Sequence, residues 1–315
     1  MTAQLQPMRR VAAYAICIDS AGRALLVRES ARSGTPGVWT LPGGAVWHGE
    51  HPAETVAREA ADEAGLTLRT TALSDVVADT RVLRTRGLTI HTDRVLYEAT
   101  AESSDTGPTP SPKPGSPLVD DARWVSRDEA ASLQLRPFAA NALKLPLTAV
   151  DLPPEQQPDL PSFLIVDHPD GRRRVQRFAA YAVVRDGLDQ VLLTRIADGY
   201  PGAGRWHLPG GGTDFGEQPA DALLRELAEE SGYAGRVVAL LGIGSHHEPE
   251  QVGPEGFPID WHGVRAYYDV VLESDQAVRE VEAGGSSAEA RWFPAVATGS
   301  LPLTEATQEA LAAIA

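Results

Sequence analysis

Cysteine is almost absent. Cys17 is the one thiol among 315 residues, which excludes an internal disulfide framework. It sits in the apolar run AAYAICI and reads as a buried small hydrophobe. Basic residues are also scarce: 28 Lys and Arg stand against 43 Asp and Glu, for a formal net charge of −15. That balance argues against nucleic-acid polymers or anionic membranes as partners. It also repels free phosphates at long range, so a phosphate site here would need local Mg2+ or arginine. No apolar run is long enough to span a bilayer, and the opening MTAQLQPMRR carries no apolar signal core. The expectation is a cytoplasmic chain. What remains is ordinary globular composition, 43% apolar, with length for two domains that each bury a core.

The chain contains itself twice. Residues 10–66 lie over 177–233 without a gap, with roughly two residues in five identical. RRVAAYAICID matches QRFAAYAVVRD, and GVWTLPGG matches GRWHLPGG. Later, DARWV echoes EARWF. So long a period implies duplicated domains, because solenoid units are shorter. Domain one is expected over 1–145 and domain two over 162–315. The Pro-rich stretch 146–161 should be a semi-rigid linker.

Each copy should begin with a strand, VAAYAICI in domain one. DSAG then turns the chain into RALLVRE, which predicts a hairpin. RVLYEAT and ARWVS read as further strands, and RDEAASLQL and PFAANALKL as short helices. TGPTPSPKPGSP, rich in Pro, Gly and Ser, should be an inserted loop. Domain two repeats the plan. SFLIV and RRRVQRFAAYAVV add a hairpin, and LTEATQEALAAI adds a final amphipathic helix.

The densest repetition is an acidic helix motif. GAVWHGEHPAETVAREAADEAGL occupies 44–66, and GGTDFGEQPADALLRELAEESGY occupies 211–233. Both read Gly, five residues, Glu, seven residues, Arg-Glu, then carboxylates and a Gly. Pro52 suits the first helical turn, and Gly65 suits a left-handed cap. Residues three and four apart share a helix face, so Glu226, Glu229 and Glu230 converge, as do Glu59, Asp62 and Glu63. Three like charges so placed destabilise a helix unless a cation holds them, and Mg2+ takes oxygen ligands. A solvated acidic face is the bland alternative.

The two motifs resemble the signature of the Nudix hydrolases, enzymes that cleave a diphosphate linked to another moiety. The second copy meets every fixed position. The first departs at Asp62, where the pattern has Glu, and a side chain one methylene shorter reaches about 1.5 Å less far. The resemblance implies two tandem α/β/α sandwiches with mixed sheets. It implies Mg2+ or Mn2+ held by Glu226, Glu229 and Glu230, and by Glu59, Asp62 and Glu63, with a loop carbonyl near Gly210 or Gly43. Arg225 and Arg58 would orient the carboxylates. Glu217 and Glu50 would support the loop or a second metal. The general base stays open.

Several other residues carry candidate roles. Arg28 and Arg195 match across the copies and could clamp phosphate, or be ordinary surface arginines. Asp121 and Glu289 also match, as base-recognition, metal or water-activating groups, or as strand-end charges; Glu280 and Glu282 compete with Glu289. Trp47, His48 and Phe215 lie in the variable part of the motif loop, where an exposed aromatic could stack on a base. Trp39 and Trp206 read as core. His246 and His247 lack metal-ligand spacing and read as a solvated loop. The basic run at 172–174 reads as a charge-protected strand edge.

The resulting expectation is Mg2+-dependent hydrolysis of a nucleoside diphosphate linked to X, chiefly by domain two. The partner would be a small nucleotide-like diphosphate, and the two copies would pack as an intramolecular pseudo-dimer or the chain as a homodimer. Two alternatives stand beside it. Domain one could be a non-catalytic nucleotide-binding or regulatory module, or the whole chain a ligand sensor. The motif does not choose among ADP-ribose, nucleotide sugars, dinucleoside polyphosphates, damaged triphosphates and cofactor diphosphates.

Overall fold

The structure is a computed structural model, and it describes residues 5–102, 109–113, 116–146, 163–167, 171–252, 258–274 and 286–313. Most of the expected linker, part of the inserted loop, and Glu280 and Glu282 lie outside them. The chain divides into two compact units, Met1–Pro158 and Asp159–Ala315.

The first unit runs β1 (Gln6–Cys17), β2 (Ala24–Glu29), β3 (Trp39–Thr40), β4 (Gly43–Ala45), α1 (Pro52–Glu63), β5 (Leu68–Leu83), β6 (Leu88–Ala101), β7 (Val119–Val125), α2 (Arg127–Ser132) and α3 (Pro137–Ala142). One sheet has the order β4-β1-β6-β5, and a second the order β3-β2-β7. The first is mixed: β1 runs parallel to β6 and antiparallel to β4. β1 is buried along most of its length, which suits its unbroken apolar run. Tyr14, Leu26, Trp39, Leu96 and Phe138 belong to one core cluster that joins both sheets to α3.

The second unit runs β8 (Phe163–Asp167), β9 (Arg173–Val184), β10 (Gln190–Ile196), β11 (Trp206–His207), β12 (Gly210–Gly212), α4 (Pro219–Ser231), β13 (Gly235–Val252), β14 (Pro258–Leu272), β15 (Ser287–Pro294) and α5 (Glu305–Ala313). Its mixed sheet has the order β12-β9-β14-β13, with β8 added beside β9, and its smaller sheet the order β11-β10-β15. Both units are thus α/β/α sandwiches, each with one mixed sheet and one smaller antiparallel sheet, as expected.

Three expectations change. β1 and β2 do not form a hairpin. Asp19 makes the turn, its carboxylate accepting from the Arg23 N–H at 2.8 Å, but the strands then join different sheets and keep one bridge, Ile18 to Ala24. The run at 172–174 is no edge: β9 is paired with β8 on one side and β14 on the other, and Arg174 meets Asp260 at 3.2 Å. His246 and His247 lie within β13 rather than a loop. His247 meets Asp260 at 2.7 Å, and His246 faces Glu305 at 3.3 Å.

Candidate active site

In the second unit the site is built where α4 meets the tight strand β12. Gly210 has φ 142°, and a Cβ there would lie 2.2 Å from the Ala180 carbonyl. A Cβ on Gly211 would lie 2.7 Å from the Glu226 carboxyl carbon. Glycine is required at both positions, because strand β9 and the helix carboxylate press on the loop from opposite sides. Pro219 opens α4, and Gly232, at φ 75°, closes it as a left-handed cap.

Arg225 organises the motif. Its Nε and Nη2 donate to the two oxygens of Glu217 at 2.9 and 3.0 Å, and Nη2 also reaches the Gly212 carbonyl at 3.3 Å. Nη1 donates to Glu226 at 2.9 Å and Glu229 at 3.2 Å. Glu217, bridged to the Asp214 N–H at 2.8 Å, is therefore engaged in holding the loop. The first unit repeats this: Arg58 donates to Glu50 at 2.7 and 2.9 Å, to Glu59 at 2.6 Å and to the Ala45 carbonyl at 3.1 Å. Hydrogen bonds from Arg58, Thr55 and the Trp47 N–H outweigh burial and hold the Glu50 carboxyl below its usual range.

Glu230 is only 5% exposed. One of its oxygens accepts from the Gly210 N–H at 3.0 Å and Thr194 at 3.4 Å; the other accepts from Ser287 at 2.6 Å and Ser286 at 3.4 Å. Burial pushes its pKa up, and these donors oppose the shift. Glu226 is likewise raised, by burial first and also by the charges of Glu230 and Glu229, against the pull of Arg225. His207 sits behind the hydroxyls, its Nε2 3.0 Å from Thr194; burial depresses its pKa to about 4, so it is neutral at pH 7. Sequence reading missed Thr194, His207, Ser286 and Ser287.

The first unit lacks this hydroxyl cage. Strand register places Val27 where Thr194 stands, Val119 where Ser287 stands and Thr40 where His207 stands. Glu63 keeps the Gly43 N–H at 2.9 Å. Its pKa is raised well above the usual carboxyl range by burial, with Glu59, Glu29 and Asp62 adding to the shift. The Asp62 side chain is 50% exposed and pairs with Lys113 at 2.7 Å, whereas Glu229 pairs with Arg225.

A cavity of about 470 Å3 opens beside the second motif, with Glu226, Glu230, Gly210 and Gly211 in its wall. Arg195 and Glu289 are not in that wall. They pair with each other at 2.7 Å across β10 and β15, and Arg195 holds the Glu289 pKa low. Arg28 is similarly held by Asp120 at 2.7 Å. Phe215 is 2% exposed, so the expectation of a base-stacking ring fails there: the side chain is taken up by burial. Trp47 is 60% exposed, but the Arg58 guanidinium lies 3.8 Å from its ring centroid and covers one face. Trp39 and Trp206 are core, and Cys17 is buried with its thiol pushed up to about 11 by burial.

The donor set suits a hard divalent cation: three carboxylates crowd together, and Arg225 neutralises only part of their charge. Among the described residues no helix is long and apolar enough to cross a membrane.

Comparison with known proteins agrees with this geometry. An ADP-ribose pyrophosphatase of Methanocaldococcus jannaschii is 30% identical over 128 residues, which cover 39% of this chain and 69% of that protein. A putative 8-oxo-dGTP diphosphatase of Bacillus subtilis is 36% identical over 64 residues, 20% of this chain and 40% of that protein. Human diphosphoinositol polyphosphate phosphohydrolase 3-alpha is 44% identical over 55 residues, 18% of this chain and 32% of that protein. The chain thus spans less than half the length of the latter two relatives. Among solved structures, a MutT NUDIX hydrolase from Burkholderia pseudomallei is 26% identical, with a TM-score of 0.35 over 44% of this chain and 98% of that one. The NUDIX domain model matches residues 8–145 and again 175–313. The chain belongs to the NUDIX family, as a tandem duplication.

Proposed function

We propose that the second unit hydrolyses the diphosphate bond of a nucleoside diphosphate linked to X, with Mg2+ as the cofactor. The observation that carries this reading is the joint placement of Glu226 and Glu230 in one cavity wall, beside the glycine loop. Glu226, Glu229 and Glu230 are the groups that would hold the cation. Once bound, it supplies Lewis-acid polarisation of the phosphoryl oxygens and a more acidic water. The chain's own residues do the rest. Arg225 fixes two of the carboxylates, Gly210 and Ser287 donate to Glu230 and oppose the rise in its pKa, and Gly211 gives Glu226 room. One relative is named an ADP-ribose pyrophosphatase, which puts ADP-ribose first among the substrates to try.

A second reading concerns the first unit, as a binding or regulatory module with a weakened site. Val27 and Val119 in place of hydroxyl donors favour it, because they leave Glu63 with a single backbone donor from Gly43. Both readings meet in one experiment. Phosphate or nucleotide release would be followed with Mg2+ on ADP-ribose, nucleotide sugars, dinucleoside polyphosphates and cofactor diphosphates. The proteins would be wild type, Glu63→Gln, Glu230→Gln and the double variant. Loss of all turnover in Glu230→Gln alone is the expected result. Loss in a folded Glu63→Gln would overturn the modular reading, and separate losses on different substrates would make the chain bifunctional. No turnover by wild type would favour a ligand sensor.

A further inference from the structure

The same cavity has a second charged region away from the carboxylates. Arg177 on β9 and Arg265 on β14 both line it. Arg177 Nε and Arg265 Nη1 are buried, and neither has a hydrogen-bond partner among the described residues. Neither guanidinium pairs with a described carboxylate. Two other acidic groups of the wall, Glu248 and Glu305, face His246, at 3.7 and 3.3 Å.

The first unit gives both positions a partner, although the Arg94 Nε is, like the Arg177 Nε, buried without one among the described residues. Register equates Arg177 with Arg10 and Arg265 with Arg94. Arg10 Nε donates to Thr92 at 3.1 Å, and Arg94 pairs with Asp79 at 2.5 Å. Phe138 lies under Arg94, 4.4 Å from ring centroid to guanidinium, and stacks on Tyr14 at 4.6 Å. In the second unit the positions of Thr92, Asp79 and Phe138 carry Gly263, His246 and Ala306. The hydroxyl, the carboxylate and the ring are all gone. Arg265 keeps the Tyr267 hydroxyl as a partner, but neither arginine has the contact that its counterpart makes in the first unit.

Strand geometry separates this region from the carboxylates. Tyr181 stands opposite Gly210, whose N–H holds Glu230. Arg265 is in register with Ala179, two residues from Tyr181, and Arg177 is four residues from it. At the rise of a strand these are about 7 and about 13 Å. A diphosphate held at the carboxylates would not itself extend to both arginines. A guanidinium offers a planar fork of charged donors, so an oxyanion matches the pair better than a neutral carbonyl does.

We propose that Arg177 and Arg265 bind an oxyanion carried by the substrate at a distance from the diphosphate that is cleaved, a phosphomonoester or a carboxylate. This rests on the reading of the Glu226 and Glu230 end as the diphosphate site. The full chain would be assayed with Mg2+ on matched pairs: NADPH against NADH, coenzyme A against dephospho-coenzyme A, and UDP-glucuronate against UDP-glucose. The expected result is at least a tenfold higher kcat/KM for the oxyanion-bearing member of a pair. The first two pairs report a phosphomonoester and the third a carboxylate. Arg177→Gln and Arg265→Gln should each cut that preference about tenfold. His246→Asp should cut it too, by giving Arg265 the kind of partner that Asp79 gives Arg94. Melting curves would establish that each variant is folded. Equal kcat/KM within every pair, or a preference that survives all three substitutions, would overturn the proposal. Should wild type cleave none of the pairs, the wider panel with ADP-ribose tests the diphosphate reading separately. Calorimetric titration with ribose 5-phosphate then decides the subsite: binding lost in the arginine variants supports it, and no binding to wild type overturns it.

Discussion

Ser287→Ala isolates the hydroxyl cage from the motif itself. Ser287 lies in β15, far from the box in sequence, and donates to Glu230 at 2.6 Å, the shortest of that carboxylate's four contacts. A hydrogen bond to a charged group is worth about 1.5–3 kcal/mol, and deletion of a buried donor leaves the oxygen unsatisfied. Protonated Glu230 does not need that donor, so its loss penalises the ionised form alone and the Glu230 pKa rises further. The acid limb of kcat/KM against pH should therefore move to higher pH. Below the shifted limb, turnover should fall about tenfold or more, since about 1.4 kcal/mol is a factor of ten. Well above it, the variant should approach wild type, because the carboxylate is ionised in both. Thr194→Val serves as the graded comparison: its contact is 3.4 Å, so the limb should move less. An acid limb unmoved by Ser287→Ala, or moved more by Thr194→Val, would refute the reasoning.

Three further outcomes follow from the same contacts. Glu63, Glu226 and Glu230 all have raised pKa values, so the native metal-free protein retains protons that the unfolded chain releases. Its stability should then fall as pH rises from the ordinary carboxyl range through those native values, and Mg2+ should reverse the trend in thermal melts. Gly211→Ala would put a Cβ 2.7 Å from the Glu226 carboxyl carbon and should abolish turnover, whereas Gly22→Ala meets no atom within 4 Å and should cost only about 1–2 kcal/mol of backbone strain by denaturant titration. Phe138→Ala should destabilise the first unit by about 3–5 kcal/mol in the same titration, because the ring is buried against Tyr14 and Arg94; a near-zero change would mean the site collapses freely.

Much of this protein was legible because it was written twice. The box helices, their proline starts and their glycine ends lie where propensity puts them. β5 was not foreseen. Its register slips between Thr70 and Ala72 and again between Leu73 and Asp75, so the apolar alternation that marks a strand is broken. The β1–β2 hairpin failed for a different reason. A turn residue such as Asp19 reverses the chain, but it does not decide whether the two strands then share a ladder. Thr194 was within reach of sequence comparison, since it stands against Val27 in the gapless part of the repeat. Ser287 was too, standing against Val119 two residues before the DARWV and EARWF match; what sequence did not show is that both hydroxyls turn onto Glu230.

The visible departure between the motifs, Asp62 for Glu229, is the less consequential one. Asp62 is half exposed and satisfied by Lys113, so its shorter reach costs little in a site that solvent can enter. The consequential differences lie outside the box. Val27 and Val119 leave Glu63 in apolar surroundings, and Phe138, Asp79 and Thr92 fill or pair the positions that the second unit leaves open. In the second unit four donors surround Glu230 and two guanidiniums line the cavity; in the first, Glu63 accepts from the Gly43 N–H, while Arg10 and Arg94 meet Thr92 and Asp79. The difference between the units therefore lies in the side chains that stand around the carboxylate and the guanidiniums, on strands outside the motif, and not in the spacing of the motif itself.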